Sequence, residues 1–555
     1  MKAACNGASE ADVKVIQTGL IPGVGRYSSG VIAFQQVNPY MATVKIRTLG
    51  FLDTNSNGVL DIGEPFKQVD SVSRFELVRS QVFDYTYFIN NYGWMDGFGV
   101  NDLIVNGDMR ANGNFDFLNG SPTINGTVIA AASDKLDPKV PGFINTPPVK
   151  WANSTYSTNW NNAGSVARER WRPPYDSSKY GVAGTANFNK FRDTVFESNA
   201  SWVNGHDVGG TFVPPGAFGS VMADSTGMNT WTRTSVGQVP VKTLLDTKPT
   251  KEVVMPDLSD ITKYQQLSTD FAAHPAEYQK ATYADGTANP NYGSPPYVEV
   301  WNTTTSSYQR LTNSNGLISG SAVLVGTLAR PIKIYGPVTV DQDVVIKGYT
   351  LGQGAIYAGR NVHIVGSLRY KDPPTWLGAN PTTVDNANEK KDMVGYAARG
   401  SVIMGNSTTF GNPYPLYYMM PPFTHGRYDD NGVYIPAFNA MDIDSTGRRK
   451  YQSTIPDATL NSIAEGVNQI DGILYTNYVG GGNIGTGGGG VVFNGTIVSK
   501  DESIVTWSLP IRMNYDSRVR ERGPDEPPLI DLQLPRQPTL MRSTWQDKGF
   551  FDNGH

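Results

Sequence analysis

The stretch LDTNSNGVLDIGEP, residues 52 to 65, spaces oxygen donors as a calcium loop requires. Counted from Asp53, side-chain oxygens fall at loop positions 1, 3, 5 and 9, glycine at 6 and glutamate at 12, the pattern D-x-[DN]-x-[DN]-G-x5-E. A hard divalent cation takes six or more oxygens, and this order supplies them from one short segment. Asp53, Asn55, Asn57 and Glu64 would give side-chain oxygens, Val59 its carbonyl, and Asp61 a direct or water-bridged oxygen. Gly58 would allow the sharp reversal that brings both halves of the loop round the ion. In a helix-loop-helix protein two helices flank such a loop, and here the entering segment is no helix. YMATVKIRTLGF alternates Val44 and Ile46 against Lys45 and Arg47 with strand period. Beyond the loop, Pro65 and Phe66 lead into KQVDSVSRFELV, whose spacing fits a strand or a helical face. The loop is therefore expected to join two strands, or a strand and a short helix. There it would act as a structural staple for which weak affinity, about 10⁻⁴ to 10⁻³ M, suffices outside the cell.

The elements that must carry this loop follow from composition. Only 17% of the 555 residues are charged, while 59 Gly, 36 Pro and 28 Tyr favour short strands and many turns. A net charge of -4 with no Lys/Arg cluster gives no footprint for nucleic acid. The single cysteine, Cys5, excludes an intrachain disulfide, and its AAC context lacks the apolar run of a lipoprotein signal, so Cys5 reads as incidental. No stretch is apolar for long enough to span a membrane as a helix.

Residues 83 to 99, FDYTYFINNYGWMDGFG, are dense in aromatics that read as core packing. Asn-Gly pairs then begin at Asn106, Asn112, Asn119 and Asn125, with spacings of six, seven and six residues. Regular turns between very short strands are the pattern of a β-solenoid. The texture returns in 336–370, 397–406 and 470–516. The expected fold is mainly β: an N-terminal β domain with an EF-hand-like calcium loop, then an interrupted β-solenoid with long loop insertions and a few short helices. The expected divisions are 1–82 for the β domain, 83–139 for the aromatic segment and first rungs, and 140–315 for a long insertion with a helical patch at 255–283. Residues 316–516 would form the main rungs, with a helix near 457–468, and 517–555 a Pro-rich extended tail.

Four phrases occurring in order resemble a known family: FDYTYFINNYGWM, NGDMRANGNFDF, AIYAGRNVHIVGSLRYKDPP and FNGTIVSKDESIVTWSLPIRMNYDSRV. They are similar to large bacterial exported proteins labelled PilX-like, associated with type IV pilus assembly, over about residues 80 to 540. The resemblance implies export and association with a pilus-like or cell-surface structure. It also implies a prepilin-type N-terminal helix, which this sequence lacks.

Other chemistry is sparse. RYDDNGVY, residues 427 to 434, offers Asp429, Asp430 and Asn431 but no position-12 glutamate, and reads as a turn. His206, His274, His363, His425 and His555 show no metal-ligand spacing, and no HExxH or G-x-S-x-G occurs. GGGNIGTGGGG, 480 to 490, lacks the Lys-Ser/Thr of a P-loop and reads as a flexible turn. Asp341, Asp343, Arg360, Arg369, Lys371, Asp501 and Glu502 are charged rung edges, or the candidates for a carbohydrate-active β-helix enzyme, a polysaccharide lyase or hydrolase. The reading favoured by the sequence is a non-enzymatic, exported surface protein, calcium-stabilised, acting as a component or adhesin of a pilus-like or envelope assembly. Its expected partners are other surface proteins or its own copies, and carbohydrate.

Overall fold

A computed structural model describes residues 7–90 (without 10 and 39), 93–96, 101–112, 253–376, 386–520 (without 412–413, 421–423, 425–426, 429–433 and 436) and 528–552, and the backbone of short strands between 115 and 239. Two units emerge: Met1–Arg79 with Pro535–His555, and Ser80–Leu534.

The first unit is an antiparallel sheet. Strands β1 (Lys14–Ile21), β2 (Gly25–Asn38), β3 (Met41–Phe51) and β4 (Pro65–Arg79) follow one another as hairpins. The fifth strand, β5 (Arg536–Asp552), comes from the other end of the chain and pairs along the whole of β4. This corrects the expected extended tail at 517–555: only Pro538 interrupts a long run of residues able to make ladder hydrogen bonds, and an edge strand tolerates one proline. The segment after the loop, ambiguous in sequence, is strand throughout. Its Asp70 lies opposite Arg47 and accepts from Nε at 3.0 Å and from a terminal nitrogen at 3.1 Å. The Arg47 hydrogen bond, with help from Gln68 and Lys45, holds that carboxyl below its ordinary pKa despite desolvation. The buried apolar cluster here is small, Val31 and Val44 with Phe34, Ile46 and Phe75 packed against it.

The second unit is a parallel β-solenoid with three faces. On the first face, Val338, Ile356, Tyr396, Leu474, Ile497, Tyr87 and Met109 stack in register. On the second, Leu324, Ile346, Ile364, Met404, Gly482 and Ile504 do the same. The third stacks Leu368, Ile470, Phe493, Met513 and Val105. These side chains form one continuous interior. Each fully buried aliphatic contributes roughly 1.5–3 kcal/mol of transfer free energy, gained only when a neighbouring turn covers it.

The six-seven-six spacing of Asn-Gly pairs is the perimeter of one such turn. Asn106 and Asn125 pair in register at the same corner, whereas Asn112 bonds Asn90 at the next corner, at 2.8 Å; Asn119 lies outside the described residues. The corner of Asn106 carries an amide ladder across four turns: Asn106 donates to Asn514 at 2.7 Å, Asn514 to Asn494 at 2.8 Å, and Asn494 to Asp471 at 2.7 Å. The ladder satisfies polar groups that would otherwise be stranded inside.

Spatial order differs from chain order. Tyr87–Ile89 pairs with residues 497–499, and Leu103–Asn106 with 511–514, so the turns met first in sequence extend the stack beyond the turns met last. The glycine-rich run is also not wholly a turn. Gly480–Gly482 lie in the strand Gln469–Ile484, and a Cβ on Gly482 would stand 2.1 Å from the Met404 carbonyl oxygen. Glycine is needed there for close approach. Outside the first face, the helix Thr262–Ala273 stacks Tyr264 on Tyr357 at 4.4 Å, and Leu529, Leu532 and Leu534 cover the remainder. The helix expected near 457–468 is Asp457–Ile463, shorter than expected because Ala464 turns extended, and its Leu460 seals Val345 and Val365.

Candidate metal centre

The calcium-type loop closes the hairpin of β3 and β4: Phe51 pairs with Phe66, and the Leu52 N–H donates to the Pro65 carbonyl at 3.2 Å. Two strands carry the loop, and no helix is present on either side. Within it, Ser56, Gly58 and Gly63 have φ of 61°, 83° and 91°, so the chain reverses repeatedly, with Gly58 at the tight point.

Side chains at both ends organise the backbone. Asp53 accepts from the N–H groups of Asn57 and Gly58, each at 2.9 Å. Glu64, 3% exposed, accepts from the Thr54 N–H at 2.6 Å and the Asp61 N–H at 3.0 Å. The Asp61 amide above all, with both Thr54 donors, lowers the Glu64 pKa against desolvation. The amide nitrogens of Asn55 and Asn57 both meet Asp61 Oδ2, at 2.7 and 2.6 Å. The Val59 side chain is exposed and its N–H donates to Asn57 Oδ1 at 2.9 Å.

Asn55, Asn57 and Asp61 thus converge on one point, and turning either carboxamide over replaces an N–H donor with an oxygen there. The donor set fits a hard cation. Arg26 works against it, with Nε 2.5 Å from Asp53. Among the described residues no three His, Cys, Asp or Glu side chains gather to hold an ion. The loop as it stands is closed by its own hydrogen bonds. The second acidic run, Asp429 to Gly432, lies outside the described residues.

The solenoid charges do not assemble on one face. Asp343 is fully buried at a corner, where Arg360 meets its two oxygens at 3.0 and 2.8 Å and the Thr454 N–H donates at 2.6 Å. Arg360 also bonds Asp444 at 2.7 Å. His363, fully buried, has its Nε2 4.0 Å from Asp343, and burial pushes its pKa down to about 4. Neither ring nitrogen has a hydrogen-bond partner. Asp341 accepts from Gln265 at 3.0 Å. Glu502 lies four turns farther along the stack, roughly 19 Å at about 4.8 Å per strand. Asp343 and Glu502 are therefore too far apart to serve as a carboxylate pair, which needs about 5–9.5 Å.

Sequence reasoning placed Glu502 on a rung edge, but its register partner is Gly480, which follows Val402 on the interior side of the wall. Alternation from Ile504, which packs against the interior, would have identified this. No helix among the described residues is long and apolar enough to cross a membrane.

No family model and no curated protein matches the sequence. Among solved structures, the chain is similar to the competence-associated pilin ComZ from Thermus thermophilus, with a TM-score of 0.20 and 9% identity over 98% of this chain and 90% of that one. A likeness of that size carries no argument about this chain.

Proposed function

We propose that the protein is a non-enzymatic, exported surface protein that assembles with other copies or other surface proteins in a pilus-like or envelope structure. The observation that carries this reading is the pair of open, apolar edges of the antiparallel sheet. Among the described residues, edge strand β1 pairs with β2 alone and exposes Val15, Ile16 and Leu20 at 58%, 57% and 63%. Edge strand β5 pairs only with β4 and exposes Leu540 and Trp545, the latter at 73%. Exposed apolar side chains on an edge strand favour strand addition between chains, more at β1 than at β5, which carries Pro538, Arg542, Asp547, Lys548 and two register shifts. The calcium loop, between β3 and β4, would hold the sheet that presents these edges.

The test is location on the native cell. Cells are sheared and the released filaments, envelope and medium are probed with a specific antibody. Recovery with filaments or envelope supports the proposal; recovery only as free monomer in the medium overturns it.

A further inference from the structure

Among the described residues the solenoid wall is broken where its last turn in sequence meets its first. There the first and third faces stay paired, through Ile497 with Tyr87 and Ile511 with Leu103. On the second face, residues 501–506 pair with 479–484 on one side only. The strand that follows in the stack, Gly93–Asp96, pairs instead with Phe115–Leu118. A cavity of about 390 Å³ opens at this break and reaches the interior, lined by Tyr87, Leu103, Phe493 and Met513 inside and by Tyr414, Tyr418 and Trp507 toward its mouth.

One carboxyl group is aimed into this space. Glu502 occupies the interior position that valine holds in the stacked turns, and Tyr87 hydrogen-bonds to it. Its Oε2 is out of contact with solvent and has no hydrogen-bond partner. Burial pushes its pKa up to about 8. No Lys, Arg or His lines the cavity among the described residues. The mouth is aromatic: Tyr414 lies edge-on to Trp507 and tilted against Tyr418, each at 5.8 Å, while Trp507 and Tyr414 remain 55% and 41% exposed.

A half-buried acid with a spare oxygen, aromatic faces nearby and no competing cation together select one ligand chemistry. An anion would meet a site without a positive charge. A neutral apolar molecule would leave Oε2 unpaired, at the cost of a stranded polar group. A cation gains from the carboxylate and from the ring quadrupoles at once. We propose that this cavity binds a small organic ammonium ion with an apolar body, its N–H donating to the Glu502 carboxylate in the cavity wall and its body lying among Tyr414, Tyr418 and Trp507. On binding, the Glu502 proton leaves to solvent and the ammonium charge takes its place.

The experiment uses the full chain and three isosteric probes: 2-phenylethylammonium, 2-phenylethanol and phenylacetate, titrated by calorimetry and ligand-observed NMR. The ammonium should bind about tenfold or more tighter than the alcohol, and the acid should bind weakest. Glu502→Gln, nearly isosteric, should abolish the preference for the ammonium over the alcohol. Trp507→Ala, at an exposed position, should weaken ammonium binding severalfold without altering the melting temperature. Equal affinity for ammonium and alcohol, retention of the preference in Glu502→Gln, or no binding of the ammonium to the wild-type protein overturns the proposal.

Discussion

The two units achieve order by different means. The solenoid interior is a continuous column of fully buried aliphatic and aromatic side chains, Ile346, Ile364, Met404 and Tyr396 among them. The antiparallel sheet has only a small buried apolar cluster, centred on Val31 and Val44, and most of its other side chains are half-buried or exposed. Parallel stacking covers each turn on two sides, so apolar burial accumulates. The sheet relies more on ladder hydrogen bonds, on the cross-strand pair of Arg47 and Asp70, and on the self-closed loop. A unit with little apolar burial is the one that a bound ion would stabilise most.

The largest effect should come from the column. Ile364→Ala should cost about 2–5 kcal/mol, read from the denaturant midpoint, while Ile46→Ala in the sheet should cost roughly half of that or less. Equal losses at the two sites would break the comparison.

The loop comes next. Calcium should raise the melting temperature of the wild-type protein by several degrees relative to chelator, and Asp53→Ala or Glu64→Ala should remove that rise. Identical wild-type melting in calcium and chelator would show that the loop's own hydrogen bonds suffice. Even without the ion, Glu64→Ala should destabilise the hairpin. Glu64 has a lowered folded pKa, so its contribution is present above the unfolded value near 4.3 and is lost as pH falls through the folded one.

A smaller change concerns His363, buried without a hydrogen-bond partner. Its folded pKa of about 4 lies below the unfolded value near 6.5, so the unfolded chain binds the extra proton and stability falls between those values as pH is lowered. His363→Leu should stabilise the solenoid by about 1 kcal/mol at pH 7 and flatten this part of the pH profile. Unchanged acid sensitivity would assign it to another group. The smallest effect on stability belongs to the sheet edge. Leu20→Lys should change stability by no more than about 0.5 kcal/mol yet reduce self-association measured by sedimentation. Unaltered association would remove β1 from the assembly surface.

Local chemistry made much of this legible. Alternation of Val44 and Ile46 against Lys45 and Arg47 determined a strand leading into the loop, because period two admits no helical face. The regular spacing of Asn-Gly pairs pointed to a β-solenoid of short strands between turns, because each turn needs a residue pair that tolerates tight backbone geometry. The spacing of Asp53 to Glu64 set the donor order of the loop. It did not settle the gathering of those donors round an ion, which depends on carboxamide orientation and on Arg26, a neighbour from another strand.

Tertiary structure alone decided the rest. β5 joins β4 although the chain between them holds an entire solenoid, a pairing set by an open edge rather than by any local pattern. The turns at 87–130 stack after those at 491–515 because stacking energy depends on which faces meet, not on the order in which they are linked. Glu502 became an interior residue for the same reason. Its side is fixed by register with Gly480 and Ile504, and the break in the wall beside it exists only where two distant stretches of chain abut.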